Sequence, residues 1–314
     1  MINILQNNNK IIINTDIDGV LSGLILQNYL GSEIVGFSNS DNTVWIDKSK
    51  TNTIYDAVYI DMYVPRSTVG CVDQHIVCVN AEHHARLIKN SLKSNPNLDN
   101  PRYHLPNQSY YVKYPFGTIH YIIAKLEGAG IKINLNGNSP VGNLTLFDLI
   151  LRADDAMKTS VDSPYVANAK DWWQWLKRNS NNGSMVTSLI GYLEGLNSNK
   201  VLSIKTQTTK LLTSEPFFCT SPDGGFKSIL NNSTGDLNQN VLEYLNFIAD
   251  SCGLNRIKVS KSYAPNVGNV NRTMLNNDQI HELIDNNSIQ GQEIFSYAFV
   301  RSSNRDSNFS YTIM

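Results

Sequence analysis

Apolar positions along the first part of the chain fall into two alternating patterns. Ile11, Ile12 and Ile13 form an unbroken β-branched run, as expected of a strand buried on both faces of a parallel sheet. Behind it Val20, Leu21, Leu24, Ile25, Leu26, Tyr29 and Leu30 recur at helical spacing until Gly31, which predicts a helix closed by glycine. Residues 33–37 predict a second strand, 38–53 a polar loop around an apolar triplet at 44–46, 56–64 a third strand reading DAVYIDMYV, and 68–72 a further short one. Apolar strands alternating with helical periodicity indicate an α/β fold. The expected architecture is a mostly parallel sheet flanked by helices, followed by a smaller C-terminal α+β domain.

What ends these strands is polar. The first run gives way to Asp16 and Asp18 with Gly19 between acid and helix, the third is interrupted by Asp61, and the fourth stops at Asp73, Gln74 and His75. Ligands of open α/β sheets bind outside the carboxyl ends of the strands. Carboxylates delivered there suit a divalent metal, and a buried carboxylate without a partner is costly. Helix capping is the competing explanation for Asp16 and Asp18. It accounts for one of them and leaves the other without a reason.

An Asp-x-Asp-Gly turn after a first strand, a lone Asp closing a later one, and Asp-x-His after the next resemble, in order and spacing, the DHH phosphoesterase superfamily. Within it, NTDIDGVLSG and DAVYIDMYVP are most similar to the oligoribonuclease and RecJ-type branches. The family's fourth motif is an Asp after a helix, and LTLFDLILRADDAM supplies it as Asp154 or Asp155. The resemblance covers about the first half of the chain. It implies that Asp61 bridges two metals, Asp16 holds one, and Asp18 with Asp154 or Asp155 holds the other. Asp73 then orients the third motif, and His75 contacts the phosphate or protonates the leaving group. It also implies Mn2+ or Mg2+ as cofactor, one ion or two. Two positions depart from the pattern: Asn14 and Gln74 stand where the family has metal-binding histidines, and an amide oxygen is the poorer ligand for manganese-like ions. Gly117 and Thr118, at a small-residue helix start, resemble the family's phosphate-facing amides. His120, just inside that helix, is either a packed core histidine or a substrate contact. The phrase FVRSSNRDSNFSYTIM resembles a substrate-binding strand of the family's companion domain, making Arg301 and Ser302 candidates, against the alternative of a charged edge strand.

Further along, residues 81–92 predict a helix carrying His83 and His84, one of them on its solvated face, and 96–106 a proline-bearing loop. Trp172, Trp173 and Trp175 crowd one helix; they read as core anchors more than as base-stacking groups. One long helix, interrupted by Gly191 and Gly195, is expected over 185–212, a helix over 237–252, and strands over 256–259 and 294–301. Ser221-Pro222-Asp223-Gly224-Gly225 reads as a turn. The expected division is 1–184, a connecting helix over 185–214, and 215–314.

Composition narrows the functional classes. A net charge of −1 over 314 residues provides no overall basic field for long nucleic acid. Cys71, Cys78, Cys219 and Cys252 show no C-x-x-C spacing and point to a reducing compartment. No basic segment leads an apolar stretch at the N-terminus, and no apolar run approaches ~18 residues, so a soluble, cytoplasmic protein without membrane contact is expected. The leading expectation is a metal-dependent hydrolase of phosphodiester or phosphomonoester bonds in nucleotides or short single-stranded oligonucleotides, with a homodimer as the self-association to test. The alternative is a catalytically degenerate DHH-like domain acting as a nucleic-acid or protein scaffold. A haloacid-dehalogenase-type phosphatase shares the D-x-D-G phrase alone, and nothing in the sequence fixes the lysine it requires.

Overall fold

The isoleucine run becomes β1 (Lys10–Asn14), whose three isoleucines are wholly buried. The structure is a computed structural model and describes residues 1–105, 110–135, 140–141, 143–153, 163–300 and 307–314. A short helix, α1 (Ile2–Asn7), precedes β1, and α2 (Ile17–Leu30) follows it, ending at Gly31 in the left-handed region. Then come β2 (Glu33–Ser38), β3 (Thr43–Ile46), β4 (Val58–Ile60) and β5 (Cys71–Val72). Helices α3 (Ala81–Leu87) and α4 (Pro96–Asp99) flank β6 (Lys93–Ser94). After α5 (Thr118–Gly128), β7 (Pro140–Val141) pairs with β8 (Leu144–Thr145) ahead of α6 (Leu146–Arg152). Four helices follow: α7 (Ser163–Asn179), α8 (Ser184–Glu194), α9 (Ser198–Thr213) and α10 (Gln239–Cys252). The chain continues through β9 (Ala264–Val267), β10 (Asn269–Thr273), α11 (Asn277–Asn286), a small hairpin of β11 (Ser288–Ile289) and β12 (Gln292–Glu293), β13 (Ser296–Phe299) and β14 (Phe309–Ile313).

The main sheet runs in the order β6-β5-β4-β1-β2-β3-β9. Its pairs from β6 to β2 are parallel, and β3 and β9 are added antiparallel at one end. The expected mostly parallel sheet is therefore present. From β1 the chain moves outward to β2 and β3, then returns to lay β4, β5 and β6 on the other side. This makes the crevice between the ends of β1 and β4 the point where strand order reverses.

Alternation along β1 assigns the two faces. Ile11 and Ile13 belong to a core with α2, α5, α6, α7, α8 and α10, while Ile12 joins Val35, Tyr59 and Cys71 against Ile280 and Leu283 of α11 and Phe295, Tyr297, Phe299 and Phe309 of the C-terminal segment. The C-terminal α+β part, with its antiparallel sheet β10-β14-β13, thus covers the second face. Trp172, Trp173 and Trp175 are buried in the first core, Trp172 edge-on to Tyr114 and Trp175. All four cysteines are buried and free.

Several local expectations are corrected. The helix expected over 81–92 stops at Leu87, and it is His83 that is buried. The single helix expected over 185–212 is two, because Gly195 ends α8 and the Asn197 side chain accepts from the Lys200 N–H to begin α9. Residues 256–259 form no strand; the strand of that region is β9. Among the described residues, no helix is long and apolar enough to cross a membrane.

Candidate functional site

Three strands deliver acid to one edge: β1 ends beside Asp16, β4 at Asp61 and β5 at Asp73, all running parallel. Asp16 caps α2, accepting from the Gly19 N–H at 3.0 Å. Glycine is required at that point, since a Cβ there would lie 2.4 Å from the Asn14 carbonyl oxygen. Asp18, in the first turn of α2, reaches across to the start of α5, where its two oxygens accept from the Thr118 and Ile119 N–H groups at 2.7 and 2.8 Å. Gly117 permits this approach, because a Cβ on it would stand 2.6 Å from Asp18 Oδ2. The first amides of α5 therefore face a carboxylate of the protein itself.

Asp61 is buried with φ at 62°, a left-handed conformation unusual for a side-chain-bearing residue and one that active sites retain at a cost of about 1–3 kcal/mol. It accepts from the Thr118 hydroxyl at 2.7 Å and from the Asn14 amide at 3.3 Å. The same Asn14 nitrogen donates to Asp16 Oδ2 at 2.7 Å. All six oxygens of Asp16, Asp18 and Asp61 thus meet neutral donors. Those donors do not offset the enclosure: burial first, then Asp223 and Asp18, push Asp16 up, and burial, then Asp18 and Asp16, push Asp61 up. The Asp18 carboxyl is raised to about 6, chiefly by burial.

Asp73 is fully buried and accepts from the His75 N–H at 2.6 Å and from Asn95 at 3.3 Å. Its Oδ2 has no partner among the described residues. The His75 ring lies 3.6 Å from Asp73 Oδ1 through Nδ1 and 3.3 Å from the Gln74 amide through Nε2. Gln74 therefore attends the histidine. His120 is buried against Phe116, 5.5 Å between rings, and desolvation holds its pKa down to about 4. Its burial matches the packed reading. Asp154, Asp155, Arg301 and Ser302 lie outside the described residues.

Asp61 and His75, with Ser40, Met62 and Tyr63, form one wall of a cleft, and Ser296, Tyr297, Ser310, Tyr311 and Thr312 of the C-terminal sheet form the other, around a cavity of roughly 110 Å³. Tyr63 and Tyr297, from the two walls, meet edge-to-face with 5.0 Å between rings.

Sequence reasoning missed Asp223. The 219–226 loop docks on the strand-turn-helix: the Asp223 carbonyl accepts from the Ile17 N–H at 2.9 Å, and the Phe226 N–H donates to the Thr15 hydroxyl at 3.2 Å. Arg152 and Thr209 hold the Pro222 carbonyl at 2.9 and 3.1 Å. The only signal for this was a further Asp-Gly pair in a stretch that also reads as an ordinary turn.

Hard oxygen donors and buried like charges are the chemistry a hard divalent cation relieves. Among the described residues, however, no three of His, Cys, Asp and Glu are disposed to hold one. Compared with protein-family models, curated proteins and solved structures, the chain finds no match.

Proposed function

We propose that the chain is a divalent-cation-dependent phosphoesterase of the DHH type, acting on phosphodiester or phosphomonoester bonds of nucleotides or short oligonucleotides. The observation that carries this reading is the convergence of Asp16, Asp18 and Asp61 on the crevice where strand order reverses, with His75 on the same cleft as Asp61. In this reading Asp16 and Asp61, with Asp154 or Asp155, hold Mg2+ or Mn2+. Held there, such an ion would supply charge neutralisation at the phosphoryl group and acidification of water. Asp18 fixes α5 against the site. Asp73 sets the backbone of His75, whose half-exposed ring is available to contact a phosphate or pass a proton to a leaving oxygen. Tyrosines and hydroxyls on the opposite wall suit a nucleobase and sugar.

One observation favours the degenerate scaffold. The Asn14 amide donates to Asp16 and Asp61 together, partly doing a cation's work. Turnover assays on dinucleotides, cyclic dinucleotides and nucleotide bisphosphates with Mn2+ or Mg2+ separate the two. The enzyme reading expects turnover that Asp61→Asn abolishes and that Asn14→His with Gln74→His shifts toward lower manganese. A folded wild type inactive on all three classes with both ions hands the site to the scaffold reading.

A further inference from the structure

The 219–226 loop does more than pack. Its backbone is fixed on both sides of Asp16, at Thr15 and Ile17, and a Cβ on Gly225 would lie 3.8 Å from Asp16 Cβ. The Asp223 side chain is held by a hydrogen bond from the Ser221 hydroxyl. It is half-buried, and its charge is felt by the Asp16 carboxyl.

A second observation is independent of the carboxylates. Tyr244, on α10, is wholly buried, and its hydroxyl has no hydrogen-bond partner among the described residues. That hydroxyl ends against Gly224, where a Cβ would lie 2.6 Å from it; Gly224 takes a φ of +98° that suits glycine. Burial, followed by the charges of Cys219, Asp16 and Asp223, holds its proton on. This buried hydroxyl feels the charges of Asp16 and Asp223 yet has no hydrogen-bond partner among the described residues, and a water in the shell of a bound cation would supply one.

We propose that Asp16 and Asp223 together hold a hydrated divalent cation of the magnesium type where the loop docks on the start of α2. Two carboxylates are sufficient because Mg2+ keeps several waters and is commonly held by one or two such groups. The inference rests on the cation reading of the acid cluster and adds to it a ligand from the far end of the chain.

Calorimetric titration of the full chain with Mg2+ alone tests it. Asp223→Asn keeps the backbone bonds of the loop, so its melting temperature without Mg2+ should match the wild type while Mg2+ affinity falls by about tenfold or more. Ser221→Ala, which frees the carboxylate without removing its charge, should weaken binding a few-fold, and serves if Asp223→Asn does not fold. Wild-type affinity in both variants, with binding lost in Asp61→Asn, overturns the Asp223 site and leaves the phosphoesterase reading standing. A wild type that binds no Mg2+ at millimolar concentration overturns both.

Discussion

Both oxygens of Asp18 are held by the first amides of α5, yet its carboxyl rises to about 6 because burial outweighs those bonds. A carboxyl raised on folding takes up protons that the unfolded chain releases. Its contribution to stability is therefore present below about pH 4 and is lost as pH rises through about 6. In the absence of divalent cations, the melting temperature of Asp18→Asn relative to wild type should climb across that interval, and melting curves at stepped pH measure it. Gly117→Ala makes a sharper demand, since the new Cβ would meet Asp18 Oδ2 at 2.6 Å and the Ala153 carbonyl at 2.9 Å. A loss of about 1–3 kcal/mol in urea unfolding is expected. Asp16, Asp18, Asp61 and Asp73 were legible because each breaks an apolar run where a buried strand must end. Asp223 was not. Its place beside Asp16 depends on a contact made across most of the chain, and its neighbours, proline and glycines, describe a turn wherever they occur.

At the level of elements, the same device appears twice: a buried carboxylate receives the start of a helix. Asp18 does so for α5 and Glu127 for α8, the latter accepting from the Met185 and Val186 N–H groups at 2.8 and 3.0 Å. Glu127→Ala strands both amides in the core, and a loss of about 2–4 kcal/mol is expected by denaturant titration. Neither link is visible in a sequence, because local patterns report on a helix and not on what meets its end. Boundaries suffered similarly. Ile88 continues the apolar periodicity of α3, but it is the exposed C-cap. The strand β9 carries Pro265, which is tolerated because β9 is the outermost strand of the main sheet, pairing there with β3.

Across the whole molecule, the two faces of the main sheet are covered by parts of the chain far apart in sequence. Phe226, Tyr244, Leu245 and Ile248 join Ile11 and Leu21 in the first core, so a chain cut after residue 213 should lack ordered tertiary structure, seen as a collapsed near-ultraviolet dichroism spectrum. The α/β character and the acid edge were readable because they arise within the first half. The closing of the second face by Phe295, Tyr297 and Phe309 was not, since aromatic clusters give no address for the surface they will meet. The pairing of β3 with β9 carries a consequence for biosynthesis. At ~5–20 residues per second, roughly 10–45 s separate the emergence of those two strands from a ribosome. Throughout that interval the nascent sheet presents Val44 and Trp45 on an open edge, a template for pairing with neighbouring chains. Expression yield should therefore respond to synthesis rate and chaperone supply more than the stability of the finished fold would suggest.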